Sequence, residues 1–236
     1  MIFLNNTEHN LGVTIRGDYH DFYHLREAIY HVIGEEGEYI GYEQVRLRLL
    51  GFCYDLRHAY MGDREIDRID NNLAGFYLNE VDLKTNLYYK FNVLWPEVIF
   101  LSMVLNDFIM IRKINHGEDE WDHAISMVRR LQGAITQSLE KTISKSAYTK
   151  YKKAMHQLPY YFKDYITQYL DELTHHYIMK KSDLRLRSIG RLIDSIVNKG
   201  NDYLLVKEAV LRFVEDHQTD QSNVSLDLDF PDELNW

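Results

Sequence analysis

The stretch from Tyr42 to Glu65, YEQVRLRLLGFCYDLRHAYMGDRE, decides how the N-terminal half of the chain folds. Drawn on a helical wheel, it has apolar side chains on two opposite faces and charged side chains along the edges between them. One face is formed by Val45, Leu49, Phe52, Leu56, Ala59 and Tyr60, and the other by Leu47, Leu50, Tyr54 and Met61. A helix that is apolar all round is buried, so the pattern predicts a helix over Tyr42–Met61 that is packed between two layers.

The charged residues of this helix need partners, because a buried unpaired charge is strongly destabilising. The wheel places arginines along both edges of the helix and His58 beside Tyr54. The expected partners are carboxylates that follow the helix or lie on neighbouring helices, namely Asp18, Asp21, Asp63, Glu65 and Asp107. The favoured interpretation is an ion-pair network that fixes the packing of the N-terminal half.

Two other interpretations of the same charges stay open. In the first, Arg46, Arg57 and Arg64 bind an anion, because the arginine fork grips a carboxylate or phosphate at two points. An enzyme acting on that anion would use His58 as acid or base, and its catalytic candidates are Arg57, His58, Asp63 and Arg64. In the second, the charged edges belong to an oligomer interface.

Composition narrows the class of protein. The chain has 236 residues, 45% of them hydrophobic, and one cysteine, Cys53, which excludes an intrachain disulfide and fits a reducing compartment. The net charge of −9 argues against general nucleic-acid binding. The first residues lack the basic region of a signal peptide, and the longest apolar run, Val98–Ile111, is shorter than the roughly 20 residues that span a bilayer. A cytoplasmic protein without a membrane segment is therefore expected.

Residues 1–115 have the pattern of an α+β unit. Gly12–Arg16 alternates as a strand does, and Asp18 can cap a helix over Tyr19–Ile33. Two further strands are predicted after the Tyr42 helix, over Arg64–Ile69 and Leu87–Trp95, with a polar loop between them. Pro96 then opens a helix over Glu97–Lys113 that is apolar on nearly every side, so this helix must be the buried centre of the unit.

The rest of the chain divides into a helical unit, residues 116–217, and an acidic tail, residues 218–236. Helix breaks are predicted near Ser144–Ser146, at Pro159, around Lys180–Asp183 and at Gly200. The tail has five acidic residues and no basic one, and its apolar residues alternate from Val224 to Phe230. This pattern favours an edge strand or a docking peptide, and the tail is expected to fold over the basic segment described below, either in cis or in trans within a dimer.

Two patterns of histidine and glutamate have the spacing of metal ligands. His20, His24, Glu27 and His31 share one side of the first helix, at a spacing that can bind a divalent metal. That side points away from the core, so a solvated stripe is favoured and no metal or other cofactor is predicted. Two Glu-x-x-His pairs, Glu120/His123 and Glu172/His175, would also need glutamates from two other helices to form a di-metal centre. Glycine loops for phosphates and the common hydrolase motifs are missing from the sequence.

One segment, KKSDLRLRSIGR from Lys180 to Arg191, is rich in basic residues. As a polyanion-binding patch it would use Lys180, Lys181, Arg185, Arg187 and Arg191. A solvated helix end is the more common role of such a cluster. A nucleic-acid function would require the five side chains to form one continuous exposed surface.

Three stretches carry a family resemblance: GVTIRGDYHDF, YEQVRLRLLGFCYDLRHAYMGDREI and NVLWPEVIFLSMVLNDFI. They resemble an uncharacterised family of small, mainly Gram-positive bacterial proteins, over about residues 10–112. The resemblance implies a bacterial cytosolic protein and carries no activity, cofactor or catalytic residue with it.

The expected function is that of a binding or regulatory protein acting as a homodimer, with the charged cluster structural or interfacial and a protein partner possible. The 18 tyrosines fit this expectation, because tyrosine is enriched at protein interfaces. The alternative is the enzyme described above, acting on an anionic or phosphorylated substrate. A nucleic-acid-associated factor is the weakest interpretation.

Overall fold

A computed structural model, which describes residues 1–71, 85–157, 161–163 and 165–236, has an α+β fold, as the sequence predicted. Among these residues, four strands form one antiparallel sheet in the order β1-β2-β4-β3. The strands are β1 (Phe3–Asn6), β2 (Gly12–Gly17), β3 (Glu65–Asp70) and β4 (Thr85–Leu94). β1 was missed in the sequence, and the predicted loop between β3 and β4 and the break at Pro159 lie outside the described residues.

Eight α-helices complete the described part of the fold. They are α1 (Tyr19–Ile33), α2 (Glu43–Tyr60), α3 (Trp95–His116), α4 (His123–Thr142), α5 (Lys145–His156), α6 (Ile166–Ile178), α7 (Ser182–Asn198) and α8 (Asn201–His217). α1 begins where the sequence predicted, because the Asp18 carboxylate accepts a hydrogen bond from the Asp21 amide and the Asp21 carboxylate accepts one from the Asp18 amide. No helix in the described ranges is long and apolar enough to cross a membrane.

The sheet presents one face to the helices. β2 pairs with β4 in the register Val13–Val93 and Ile15–Phe91, and these four side chains are all buried. Phe22 of α1 contacts Phe91 edge to face, with ring centroids 5.7 Å apart. The inner side of the sheet therefore forms part of the same hydrophobic core as α1 and α2.

α3 is the buried central helix that the sequence predicted. Its polar side chains are satisfied inside the core. Asp107 accepts hydrogen bonds from the Tyr42 hydroxyl (3.3 Å) and from the backbone amide of Phe162 (2.7 Å). Asn106 accepts one from the Gln132 side chain on α4 (3.0 Å). These bonds offset the desolvation of polar groups and tie α3 to the helices around it.

The prediction that α2 is buried on both sides is wrong for one face. Val45, Leu49 and Leu56 are fully buried, as expected. On the opposite face, Leu47, Tyr54 and Met61 keep 49%, 57% and 57% of their surface exposed. The physical reason is that α1, α6 and β4 all contact α2 from the inner side, so the second apolar face is left to solvent.

The tail forms neither the predicted edge strand nor any other regular element between residues 224 and 236. After a short 3-10 turn over Gln221–Asn223, Val224 is buried against the helical core. The chain then passes along α6, where His175 contacts the Phe230 ring and its Nε2 atom lies 3.1 Å from the Asp229 carbonyl oxygen. The tail thus follows the helices and does not join an edge of the sheet.

Candidate functional site

The charge cluster at the end of α2 consists of Asp55, His58, Asp63 and Arg64. His58 Nδ1 lies 2.7 Å from Asp63 Oδ2, and Arg64 Nη2 donates to Asp55 Oδ1 at 3.0 Å. The turn after α2 brings Asp63 and Arg64 back beside the last turns of the helix. The Tyr54 ring packs on His58 with centroids 4.1 Å apart. Two adjacent ion pairs therefore form from residues close in sequence.

This cluster opens onto a wide cleft of about 510 Å³. Asp55, Asp63 and Arg64 line one side, and Lys90 and Trp236 lie among the other lining residues. The Arg64 and Asp55 side chains remain 45% and 40% exposed, so solvent screens their attraction. The cleft is thus a surface feature with mixed charge.

The predicted anion-binding arginines do not come together. Arg57 is exposed and makes no ion pair with another described residue. Arg46 lies three turns earlier on α2, where its Nε donates to the Gly34 carbonyl oxygen at 2.9 Å and its Nη1 to Glu43. Only Arg64, of the three, lines the cleft beside Asp63.

A second ion-pair network, around Arg48, joins three helices. Arg48 Nε donates to Glu97 Oε2 of α3 at 2.9 Å, and its Nη1 lies 2.8 Å from Asp171 Oδ1 of α6. Burial alone would lower the pKa of Arg48, but the hydrogen bonds and charges of Glu97 and Asp171 raise it above its ordinary value. Burial raises the pKa of Asp171, although the charge and hydrogen bond of Arg48 act in the opposite direction.

The sequence did not reveal these partners. Asp18 and Asp21, which were expected to pair with α2, cap α1, and Asp107 binds the Tyr42 hydroxyl and a backbone amide. Glu97 and Asp171 lie 49 and 123 residues beyond Arg48 in the chain, so no local spacing marks them. Each carboxylate directly follows apolar residues of a helix, and this position was the only sequence signal that pointed to a partner inside the fold.

The outer face of α2 is formed by Leu47, Leu50, Gly51, Tyr54, His58 and Met61. A Cβ atom added to Gly51 would meet nothing within 4 Å, so this face is open at Gly51, whereas Leu50 packs partly against the core. Half-exposed tyrosines of α1 form a separate aromatic cluster with Tyr60. Tyr19 and Tyr23 stack on each other, and both contact Tyr60 of α2 edge to face at 5.3 and 6.1 Å. The helical wheel places Tyr60 on the face of Val45, so Arg46 and Arg57 lie between this cluster and the outer face of α2.

The histidines of α1 border a groove of about 480 Å³ between α1 and the start of α4. Its titratable lining residues are His24, Glu27, His31, Glu118, Asp122 and His123. His31 Nε2 lies 3.0 Å from Glu118 Oε1, and Arg112 donates to the same carboxylate. Within the described residues, no group of three or more His, Cys, Asp or Glu side chains is placed to hold a metal ion.

The two Glu-x-x-His pairs are also engaged by protein groups. Glu120 accepts hydrogen bonds from Arg129 (2.9 Å) and Lys113 (3.1 Å), and these bonds lower its pKa to about 2. His175 lies against the tail, as described above. The pairs occupy different parts of the helical region and line no common cleft among those described.

The basic segment does not form one surface. Lys180 and Arg191 line one cleft, and Lys180, Lys181 and Arg185 line a second one together with the tail. Arg187 is exposed and lines neither. Arg185 donates to the carbonyl oxygens of His9 (2.7 Å) and Ile178 (2.9 Å). Part of this positive charge is therefore used to hold the fold together.

Comparison with known proteins gives a family and no function. No curated protein and no solved structure matches the chain. A family model described as a domain of unknown function matches residues 2–236, a wider range than the three stretches that first carried a resemblance. Because this match covers nearly the whole chain, the protein belongs to the family described as Domain of unknown function (DUF6904).

Proposed function

We propose that the protein is a cytoplasmic, bacterial binding or regulatory protein that acts as a homodimer, and that the outer face of α2 is the dimer interface. The observation that carries this proposal is the exposure of Leu47, Tyr54 and Met61 on a helix whose inner face is fully buried. Contiguous exposed apolar surface on a water-soluble protein marks an interaction site. The half-exposed tyrosines of α1, which contact Tyr60 beyond the charged edge of α2, are of the residue type that interfaces favour.

The spacing of the outer face supports a second copy as the occupant. Leu47, Leu50, Tyr54, His58 and Met61 follow one another at intervals of three, four, four and three residues. This order is the same in both directions from Tyr54. A twofold interface requires a surface that is complementary to itself. Two antiparallel α2 helices with Tyr54 on the axis would place Leu47 against the partner subunit's Met61.

Gly51 supports a close approach of two helices. A glycine inside a helix costs about 1 kcal/mol relative to alanine. Nothing in the described structure requires this glycine, because there is open space where its side chain would lie. A partner helix packed against this position explains the glycine, since small residues allow two helix backbones to come close.

The interface is tested by Tyr54→Glu, measured by light scattering coupled to size-exclusion chromatography. We expect the wild type to have the mass of a dimer, and Tyr54→Glu to have the 28.2 kDa mass of the monomer, because a charge cannot be buried unpaired at the axis. Leu205→Glu on α8, at a residue 63% exposed, is the matched control and should remain dimeric. A wild type that is monomeric at every concentration tested would contradict the proposal.

Gly51→Ala distinguishes an effect on the dimer interface from an effect on helix propensity. Alanine should stabilise an isolated helix by about 1 kcal/mol, but its methyl group should weaken the dimer by holding the helices apart. Gly133→Ala on α4 is the control, because that glycine is also helical and open on its outer side. We expect only Gly51→Ala to raise the dimer dissociation constant, measured by sedimentation. Equal dimer dissociation constants in the two variants would show that Gly51 does not support the proposed interface.

The second candidate function is the enzyme acting on an anionic substrate. It is favoured by one observation, the short His58–Asp63 contact, which fixes Nδ1 of the imidazole and leaves Nε2 to accept or donate a proton. Inorganic phosphate is the probe, titrated by calorimetry. This function requires saturable binding that is lost in Arg64→Gln and kept in Arg187→Gln. Absence of binding to the wild type would exclude a phosphate site at this cluster.

A further inference from the structure

The acidic tail shares a cleft with the ends of α6 and α7. The cleft measures about 360 Å³. Its fixed wall is made by Leu11, Ile178, Met179, Lys180, Lys181 and Arg185, and the tail contributes Pro231, Glu233, Leu234 and Asn235. The wall combines apolar side chains with three cations. The tail segment combines a proline and a leucine with carboxylates, so the two sides are complementary in both respects.

The fixed wall is held together by bonds that do not involve the tail. Arg185 donates to the carbonyl oxygens of His9 and Ile178, and Ser182 Oγ donates to His9 at 3.0 Å. The Tyr177 hydroxyl donates to the Asn10 carbonyl oxygen at 2.9 Å. These bonds join the loop between β1 and β2 to α6 and α7. The position of the wall is therefore fixed by bonds in which the tail takes no part.

The tail is held much more loosely than the wall. Between residues 224 and 236 it has no helix or strand, and of the side chains described there only Val224 is buried. Glu233 and Asn235 are exposed although they line the cleft. Among the described residues, no ion pair joins a tail carboxylate to the cations of the wall. Attraction between opposite charges, without fixed pairs, leaves the segment easy to exchange.

We propose that the wall of this cleft is a binding site for an extended acidic peptide segment containing a proline and a leucine, and that the chain's own residues 231–235 lie against it in cis as a displaceable ligand. The charges of Lys180 and Lys181 attract the acidic segment, and Leu11, Ile178 and Met179 provide apolar surface in the cleft that its leucine also lines. A segment of this kind in another protein competes with the tail for the same place. The site lies away from the outer face of α2 and does not depend on dimer formation.

The test uses the full chain and a fluorescent peptide with the sequence of residues 225–235, followed by anisotropy. A double variant of the tail, Glu233→Lys with Leu234→Ser, removes the competing segment, and both positions are accessible enough that folding should be unaffected. We expect this variant to bind the peptide at least about tenfold more tightly than the wild type, because the cis ligand no longer competes. A scrambled peptide of the same composition should bind weakly to both.

The wall is tested in the background of the same tail variant. Lys180→Glu with Lys181→Glu should abolish peptide binding, whereas Arg187→Glu with Arg212→Glu, which makes the same change of charge outside the cleft, should leave it unchanged. Thermal unfolding checks that all variants are folded. Equal peptide affinity in the wild type and the tail variant would overturn the proposal, and so would binding that survives the lysine changes. Tyr54→Glu should bind the peptide with the same affinity as the wild type. The test of the dimer interface and the test of this peptide site are therefore independent of each other.

Discussion

Arg48 shows how much one side chain can contribute when it joins three helices. Its guanidinium and the Glu97 carboxylate are only 21% and 19% exposed, so removing one charge leaves the other poorly solvated. We expect Arg48→Gln to lower the free energy of unfolding by about 2 kcal/mol, somewhat less than for a fully buried pair. Urea denaturation followed by circular dichroism measures this change.

The matched control is Arg64→Gln, which removes an ion pair that solvent reaches from both sides. Its expected effect is below about 0.5 kcal/mol, because exposed pairs contribute little. Similar losses in the two variants would show that the Arg48 network is not what holds α2 to α3 and α6.

The same residues show what the sequence reveals at this scale. The need for partners followed from the apolar surroundings of Arg48, and the contact between Tyr54 and His58 followed from their spacing on the wheel. The identity of the partners did not follow, because Glu97 and Asp171 reach Arg48 only after three helices have packed. The proposed roles of Arg57, His58, Asp63 and Arg64 stay predictions.

Among the elements, α1 has the clearest local signal. Asp18 and Asp21 form a reciprocal capping box, which satisfies two backbone amides at the helix start. We expect Asp18→Ala to lower the free energy of unfolding by about 1 kcal/mol. Asp183→Ala is the control, because Asp183 lies exposed in the first turn of α7 and makes no side-chain cap. A loss in Asp183→Ala equal to that in Asp18→Ala would show that capping is not the cause.

α2 shows where an element cannot be read from sequence alone. A helical wheel identifies two apolar faces, but it does not show which element or partner packs against each face. The inner face was predicted correctly, and the outer face has no cover within the described chain. The tail shows the same limit of sequence analysis. Its alternating apolar residues are compatible with a strand, but a strand forms only where the edge of a sheet is near.

For the whole molecule, acid stability should depend on Glu120. Hydrogen bonds from Arg129, and then from Lys113, lower its pKa from the ordinary 4.5 to about 2 in the folded protein. The unfolded state therefore takes up the proton first as the pH falls, so the contribution of Glu120 is complete above about pH 4.5 and disappears towards pH 2. Melting temperatures of the wild type and Glu120→Gln should thus differ near neutral pH and converge below pH 3. Glu140→Gln, on the exposed side of α4, should not change this profile.

The fold class was predictable because long periodic segments dominate the chain, and α3 is central because its sequence is apolar all round. What could not be predicted was the long-range assembly, such as the 3.0 Å contact of Ser182 with the loop after β1. The division into residues 1–115 and 116–217 stays a prediction, since α1 and α4 contribute to the same hydrophobic core.

β3 lies at one edge of the described sheet, and four of its six residues are charged: Glu65, Asp67, Arg68 and Asp70. An edge strand offers unpaired backbone groups to any other extended chain, which is how fibrillar aggregates grow. Charges along that edge repel a second identical strand. Neutral replacements at Glu65 and Asp67 would leave only Arg68 and Asp70, of opposite charge, and would therefore change the colloidal behaviour of the protein, turning a protected edge into a template for polymerisation.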